Sequence, residues 1–141
     1  MFGSPIKYPN GSEIVVAGID NPVKLMSAEF DAIYVQEATE LTLNDTEFLS
    51  TRLRNGVIPY QQLFGDCNPG SPTHWLKKRM DAGLTVRILS RHEDNPRLFT
   101  SKGELTAFGV SYLARLDKLT GPRKARLRYG KWAAAWSWRN A

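Results

Sequence analysis

Glu37 stands where a short apolar run turns abruptly polar. Ala32, Ile33, Tyr34 and Val35 favour extended backbone, and Gln36 and Glu37 follow at once. Open α/β sheets put their chemistry beyond the C-terminal ends of apolar strands. In nucleotide-hydrolysing folds, that place holds a carboxylate near Mg²⁺ and a residue that positions the attacking water. Glu37 has the chemistry for the second role. Gln36 stands at the metal side, where an amide is a poorer ligand for a hard cation than a carboxylate. The other reading of these residues is a buried strand ending in a solvated acidic turn.

Two further groups of residues invite a chemical reading. Asp66-Cys67-Asn68-Pro69-Gly70 makes a second polar tip after an apolar segment. Arg123, Lys124, Arg126 and Arg128 lie within six residues, and a helix could not turn all four into a core. Up to Ala114 there are 11 Lys/Arg against 13 Asp/Glu; from Arg115 onward, 8 basic residues face Asp117 alone. A basic end on a near-neutral body suits contact with nucleic acid or an acidic partner surface, or else a solvated helix face.

Composition narrows the classes. At 141 residues the chain has room for one domain with its own core. A hydrophobic content of 42% and a charged content of 23% are ordinary for a soluble globular protein. The one cysteine, Cys67, excludes an internal disulfide, and with two separated histidines it offers no zinc-ligand spacing. No apolar run approaches the ~20 residues that cross a bilayer. MFGSPIKYPN has neither a basic start nor an apolar centre, so the chain reads as cytosolic.

The elements that must position these residues follow from local patterning. Ile6 to Tyr8, a turn at Pro9-Asn10-Gly11-Ser12, and Glu13 to Gly18 predict a hairpin. Asp20-Asn21-Pro22 can open a brief helical turn through Lys24 and Leu25. After the central strand, Thr42 can cap a helix from Leu43 to Arg54, stopped by Asn55-Gly56. Gln61 to Gly65 predicts a further strand, and the order strand, helix, strand favours parallel neighbours. A short helix over His74 to Met80 and a strand over Thr85 to Ser90 come next. Thr106 can cap the longest helix, Ala107 to Leu119. Gly121-Pro122 opens another through Arg128, and KWAAAWSWRNA closes the chain with no clear period.

Taken in order, these motifs are more specific than any one of them. NGSEIVVAGIDN, FDAIYVQEATEL, a helix ending in TRLR, GDCNPGSPTHWL, SRHEDNP and LTGPRKARLRYGKW together resemble the large terminase subunit of tailed bacteriophages, over roughly residues 9 to 133. That family joins an N-terminal P-loop ATPase, which drives DNA into the capsid, to a C-terminal nuclease. The resemblance implies an α/β fold of the ASCE, RecA-like P-loop NTPase class, with a mostly parallel sheet and flanking helices. FDAIYVQEATEL then corresponds to the Walker B strand, and Glu37 to the catalytic carboxylate that orients the water. Gln36 falls at the preceding, usually acidic position near metal and nucleotide, which implies no direct metal ligation by protein there. Asp66, Cys67 and Asn68 correspond to the coupling motif that senses nucleotide state, with the Asn68 amide best suited to a phosphate or the catalytic water. SRHEDNP resembles a family segment to which no chemistry is assigned.

The departures from the family pattern are equally definite. No GxxxxGK[ST] occurs in the 141 residues, so the backbone cradle and lysine for the phosphates are not among them. Past GKW, where the family continues into its nuclease, the sequence ends in AAAWSWRNA. The chain therefore reads as the second half of an ATPase domain. Residues 1–120 make the partial ATPase domain, without the P-loop strand, and residues 121–141 a basic, Trp-rich segment leading toward a nuclease. Such a piece implies Mg-ATP for the complete domain and tight nucleotide binding by none of this chain alone. The implied partners are double-stranded DNA, the small terminase subunit, the portal and, for a split gene, a second chain carrying the P-loop. The implied setting is the cytoplasm of the bacterial host, with no membrane. A prophage remnant is the alternative to a split gene. A non-catalytic module that binds nucleic acid or a motor partner, and an unrelated small α/β domain, are the other readings.

Overall fold

A computed structural model describes residues 4–19 and 25–134. The expected turn at Asp20-Asn21-Pro22 and the tail beyond Ala134, with Trp136 and Trp138, lie outside the described residues. The elements run β1 (Ile6–Lys7), β2 (Glu13–Ile14), β3 (Ala32–Val35), α1 (Leu43–Ser50), β4 (Gln62–Gly65), α2 (Trp75–Asp81), α3 (Ala107–Asp117) and α4 (Gly121–Tyr129). Short 3₁₀ turns over Ala38–Glu40 and His92–Asp94 follow β3 and precede α3. The chain divides into two compact units, residues 1–34 with 44–64, and residues 35–43 with 65–141.

The first unit opens with the expected hairpin, though its strands are only two residues each. Ile6 pairs with Ile14 and Lys7 with Glu13, antiparallel. The turn closes because Asn10 Oδ1 accepts from the Ser12 N–H at 3.1 Å and Gly11 takes φ +84°, a conformation that glycine adopts without penalty.

β3 and β4 pair as neighbours. Gln62 N–H donates to Asp31 O at 3.0 Å and, further along both strands, Asp66 N–H donates to Val35 O at 3.2 Å. The ladder advances in the same direction on each strand, so the pair is parallel, with α1 as its connection. Gly65 is required there: a Cβ would stand 2.5 Å from Val35 O. The expected mixed α/β fold with parallel pairing is present.

Three expectations need correction. Helix α1 ends at Ser50, not Arg54. Phe30 N–H donates to Arg52 O at 2.9 Å, and Leu53 forms a parallel bridge with Phe30. The amides that would carry the helix on bond i−3 carbonyls instead, Arg52 N–H to Leu49 O at 2.9 Å and Leu53 N–H to Ser50 O at 3.2 Å, so the last turn tightens and the chain leaves toward Phe30. The second correction concerns β3, expected to be buried: its residues alternate exposed and half-buried, and Tyr34 is 57% exposed. Its ring meets Phe64 of β4 at 5.5 Å between centroids, a cross-strand aromatic pair on an open face.

The third is Thr85 to Ser90, which forms no strand. Val86 is 90% and Ile88 91% exposed. A strand exists only through its ladder, and no described segment pairs with this one.

In the second unit, α3 contributes buried Gly109 and Leu113. Thr106 Oγ1 accepts from Gly109 N–H at 2.9 Å, the expected cap, while its hydroxyl donates to Arg97 O at 2.7 Å. Buried Leu98 and Leu113 flank buried Gly109, where a Cβ would stand 2.2 Å from Leu98 O. Helix α4 ends as Gly130 adopts φ +62° and its N–H donates to Arg126 O at 3.0 Å. Leu25 and Leu49 in the first unit and Leu98, Leu113 and Ala134 in the second are the buried apolar residues among those described, a thin core in each.

Candidate functional site

The second unit holds the tips of β3 and β4 together. Glu37 takes φ 52° and ψ 57°, the only described non-glycine residue with positive φ. Left-handed backbone costs an L-residue about 1–2 kcal/mol, and such positions concentrate at functional sites because the surroundings hold them there. What holds Glu37 is Asp66. Its Oδ1 accepts the Glu37 N–H at 3.4 Å, and its backbone O accepts the Ala38 N–H at 2.8 Å. Glu37 O then accepts from Glu40 N–H at 2.8 Å, closing the 3₁₀ turn.

A cleft of about 860 Å³ opens beside this turn. Glu37 and Glu40 line it with Asn68 of the following loop, and Lys118, Arg123 and Arg126 line it from the α3–α4 connection and α4. The cleft thus joins carboxylates, an amide and cations, which suits a polyanion approached by a water that a carboxylate orients.

The structure brings some expected residues together and separates others. Glu37 and Asn68 share the cleft, whereas Gln36 is exposed and is not part of its lining. Asp66 acts on the Glu37 backbone rather than facing the cleft. Cys67 is half-buried; burial pushes its thiol up from the ordinary 9.0, and the Glu37 and Asp66 carboxylates push it further the same way. Glu37, Glu40 and Asn68 offer two carboxylates and an amide, and no three His, Cys, Asp or Glu of the described residues gather as a metal site.

The basic run of α4 is not one surface. Arg126 Nε donates to Ala133 O at 2.9 Å, with Nη2 on the same oxygen. Lys124 Nζ donates to Asp117 O at 2.7 Å and Arg128 Nε to Asp117 Oδ1 at 2.9 Å, so both tie down the end of α3. The Arg123 side chain is exposed and makes no hydrogen bond or ion pair among the described residues.

Residues that sequence reasoning passed over complete the site. His74 Nε2 lies 3.1 Å from Thr39 O, and Trp75 Nε1 donates to Leu41 O at 2.7 Å. Ala133 N–H donates to Gly70 O at 3.1 Å, with the Trp132 ring against Gly70. Local pattern holds no signal for any of these contacts, since each joins residues at least 34 apart in sequence.

A family model described as phage terminase large subunit matches residues 3–103. The large terminase of a thermophilic bacteriophage matches in two crystal forms. One, in complex with ADP, shares 16% identity at a TM-score of 0.61, over 80% of this chain and 26% of that one. The second shares 17% at 0.66, over 92% and 31%. At these identities the structures establish likeness of fold, and the chain spans under a third of their length. No curated protein sequence matches.

Proposed function

The chain belongs to the phage terminase large subunit family, and we propose that it supplies the water-orienting side of a packaging motor's ATP-hydrolysing site. Glu37 is the catalytic carboxylate in this reading. Asn68 contacts the terminal phosphate or the attacking water, and Asp66 with Cys67 forms the strand tip whose position depends on nucleotide state. Gln36 lies near the metal without ligating it. The observation that carries the reading is the left-handed Glu37 at the end of β3, fixed by Asp66 at the end of β4 and sharing a cleft with Asn68.

The phosphate cradle has no counterpart in these 141 residues. In this reading it comes from residues outside them, on the same polypeptide or another, as do the strand that would pair with residues 85–90 and the DNA-cutting activity. Mg-ATP then binds the completed domain. Magnesium with few carboxylates keeps most of its coordination for phosphate oxygens and water, which accords with the sparse donor set here. Residues 121–141 form the segment leading onward from the ATPase part. Double-stranded DNA, the small subunit and the portal are the partners of the whole motor.

The experiment is ATP turnover by the chain mixed with a P-loop-bearing strand and helix, with Glu37→Gln as the control. Turnover that appears on mixing and vanishes with Glu37→Gln supports the reading. A non-catalytic nucleic-acid-binding role is the second reading. It is favoured by the exposed Arg123, and it would show as DNA binding with no turnover in any mixture.

A further inference from the structure

The turn that carries Glu37 is held at its far end by a side chain with no assigned role. His74 is the N-cap of α2, with φ −61° and ψ 140°. Its Nδ1 accepts from the Leu76 N–H at 3.1 Å. Its Nε2 lies 3.1 Å from the carbonyl oxygen of Thr39, in the 3₁₀ turn directly after Glu37. A carbonyl oxygen only accepts, so Nε2 carries the proton, and an Nδ1 that accepts is unprotonated. Both nitrogens are thereby used, and the neutral Nε2–H tautomer is the one that satisfies both partners.

The ring also has two aromatic neighbours. Its centroid lies 5.5 Å from that of Trp75 and 6.1 Å from that of Trp132. Trp75 adds a parallel tie by donating from Nε1 to Leu41 O at 2.7 Å, at the residue that ends the 3₁₀ turn. Residues 37–41 are therefore anchored at one end by Asp66 and at the other by His74 and Trp75.

We propose that His74 is a positioning residue for the candidate site, a two-sided clamp that couples the start of α2 to the turn holding Glu37. Both anchors of that turn come from the single segment 66–75. A shift of that segment moves the Glu37 carboxylate with it, and a loss of either anchor lets the left-handed residue relax. The clamp's bearing on hydrolysis rests on the reading of Glu37 as the water-orienting carboxylate; the clamp itself does not.

Amide hydrogen exchange on the 141-residue chain, read by mass spectrometry at low concentration, separates its two arms. His74→Asn retains an acceptor near Nδ1 and loses the reach to Thr39. Exchange should rise about two- to tenfold over residues 37–41, the loss of one hydrogen bond, while the first turn of α2 stays protected. His74→Gln retains the reach and weakens the cap, giving the opposite pattern, and His74→Phe should release both segments. If the ring were only an apolar filler between two tryptophans, His74→Phe would match the native chain and the two amide variants would behave alike. Either result overturns the proposal. Unchanged turnover in Glu37→Gln would instead sink the catalytic reading and leave this exchange pattern as it is.

Discussion

The backbone N–H of Glu37 donates to Oδ1 of Asp66 at 3.4 Å, joining the tips of the two parallel strands through the residue whose backbone is left-handed. Asp66 also takes the next amide, that of Ala38, on its own carbonyl at 2.8 Å. One residue of β4's end thus fixes two successive amides after β3. The strain at Glu37 is local, while its support comes from 29 residues away.

Glu37 should show a conflict between stability and activity. In the completed site, Glu37→Gln is expected to lose about 10²–10⁴-fold in turnover, the usual worth of a positioned base, with nucleotide binding retained. Glu37→Gly relieves the left-handed strain but adds freedom to the unfolded chain, so stability should hold or rise by up to about 1 kcal/mol while turnover is lost. Thermal unfolding and steady-state turnover measure the pair. Full turnover in Glu37→Gln would move the assignment to Glu40, which lines the same cleft.

Asp66 should matter through its acceptor rather than its charge. Asp66→Asn keeps an oxygen for the Glu37 amide and is expected to be mild. Asp66→Ala leaves that amide to solvent, a loss of about 0.5–1.5 kcal/mol. Chemical denaturation of both variants tests this, and equal effects would mean that the carboxylate's charge is what counts.

Asp31 should make the first unit sensitive to acid. Its carboxylate accepts from Asn55 Nδ2 at 2.7 Å and from the Val57 N–H at 2.9 Å. The hydrogen bond from Asn55 foremost, with those from the Ile58 and Val57 amides, holds its pKa below the ordinary 3.8 against a smaller opposing effect of desolvation. A depressed acid contributes its stability above the unfolded value, and that contribution fades as pH falls through the folded one. Protection of the Val57 amide should be constant above pH ~4 and fall below it. In Asp31→Asn that pH dependence should disappear.

The basic run should bind DNA weakly and without sequence preference, with affinity falling steeply as salt rises. Replacing Arg123, Lys124, Arg126 and Arg128 together by alanine should flatten the salt dependence. Arg123→Ala alone should reduce the logarithmic slope by about one, since this exposed side chain gives up no internal partner among the described residues. Titration of a labelled duplex over a salt series is the measurement. Undetectable binding at low salt would mean that the run serves only its internal ties.

The chain alone should turn over no ATP and should self-associate through residues 84–89. Val86 and Ile88 are almost wholly exposed, and the described core is thin. Unpaired apolar segments of this kind invite pairing with another chain. Val86→Lys with Ile88→Lys should suppress association, measured by light scattering, and leave the unfolding free energy within about 0.5 kcal/mol because nothing buried is lost. A cooperative monomer with measurable turnover would overturn the reading of this chain as part of a larger site.

Sequence determined the features whose causes are local. A β-favouring run placed β3 at Ala32–Val35, turn residues made the hairpin at Tyr8–Ser12, and Thr106 set the start of α3. The order of motifs was also legible, and with it the family. Tertiary structure decided everything that needed a distant partner. Helix α1 stops at Ser50, where the chain tightens into i−3 turns and Arg52 and Leu53 come to lie beside Phe30. Thr85–Ser90 had a strand's composition but no described neighbour to form a ladder with, and composition cannot supply one. The four cations of α4 looked equivalent in sequence, yet Asp117 and Ala133 O engage three of them and leave Arg123 exposed. Glu37 was readable as a carboxylate at a strand tip. Its left-handed backbone, and the grip of Asp66 and His74 on its turn, depend on residues brought near only by the parallel pairing of β3 with β4 and the loop that follows it.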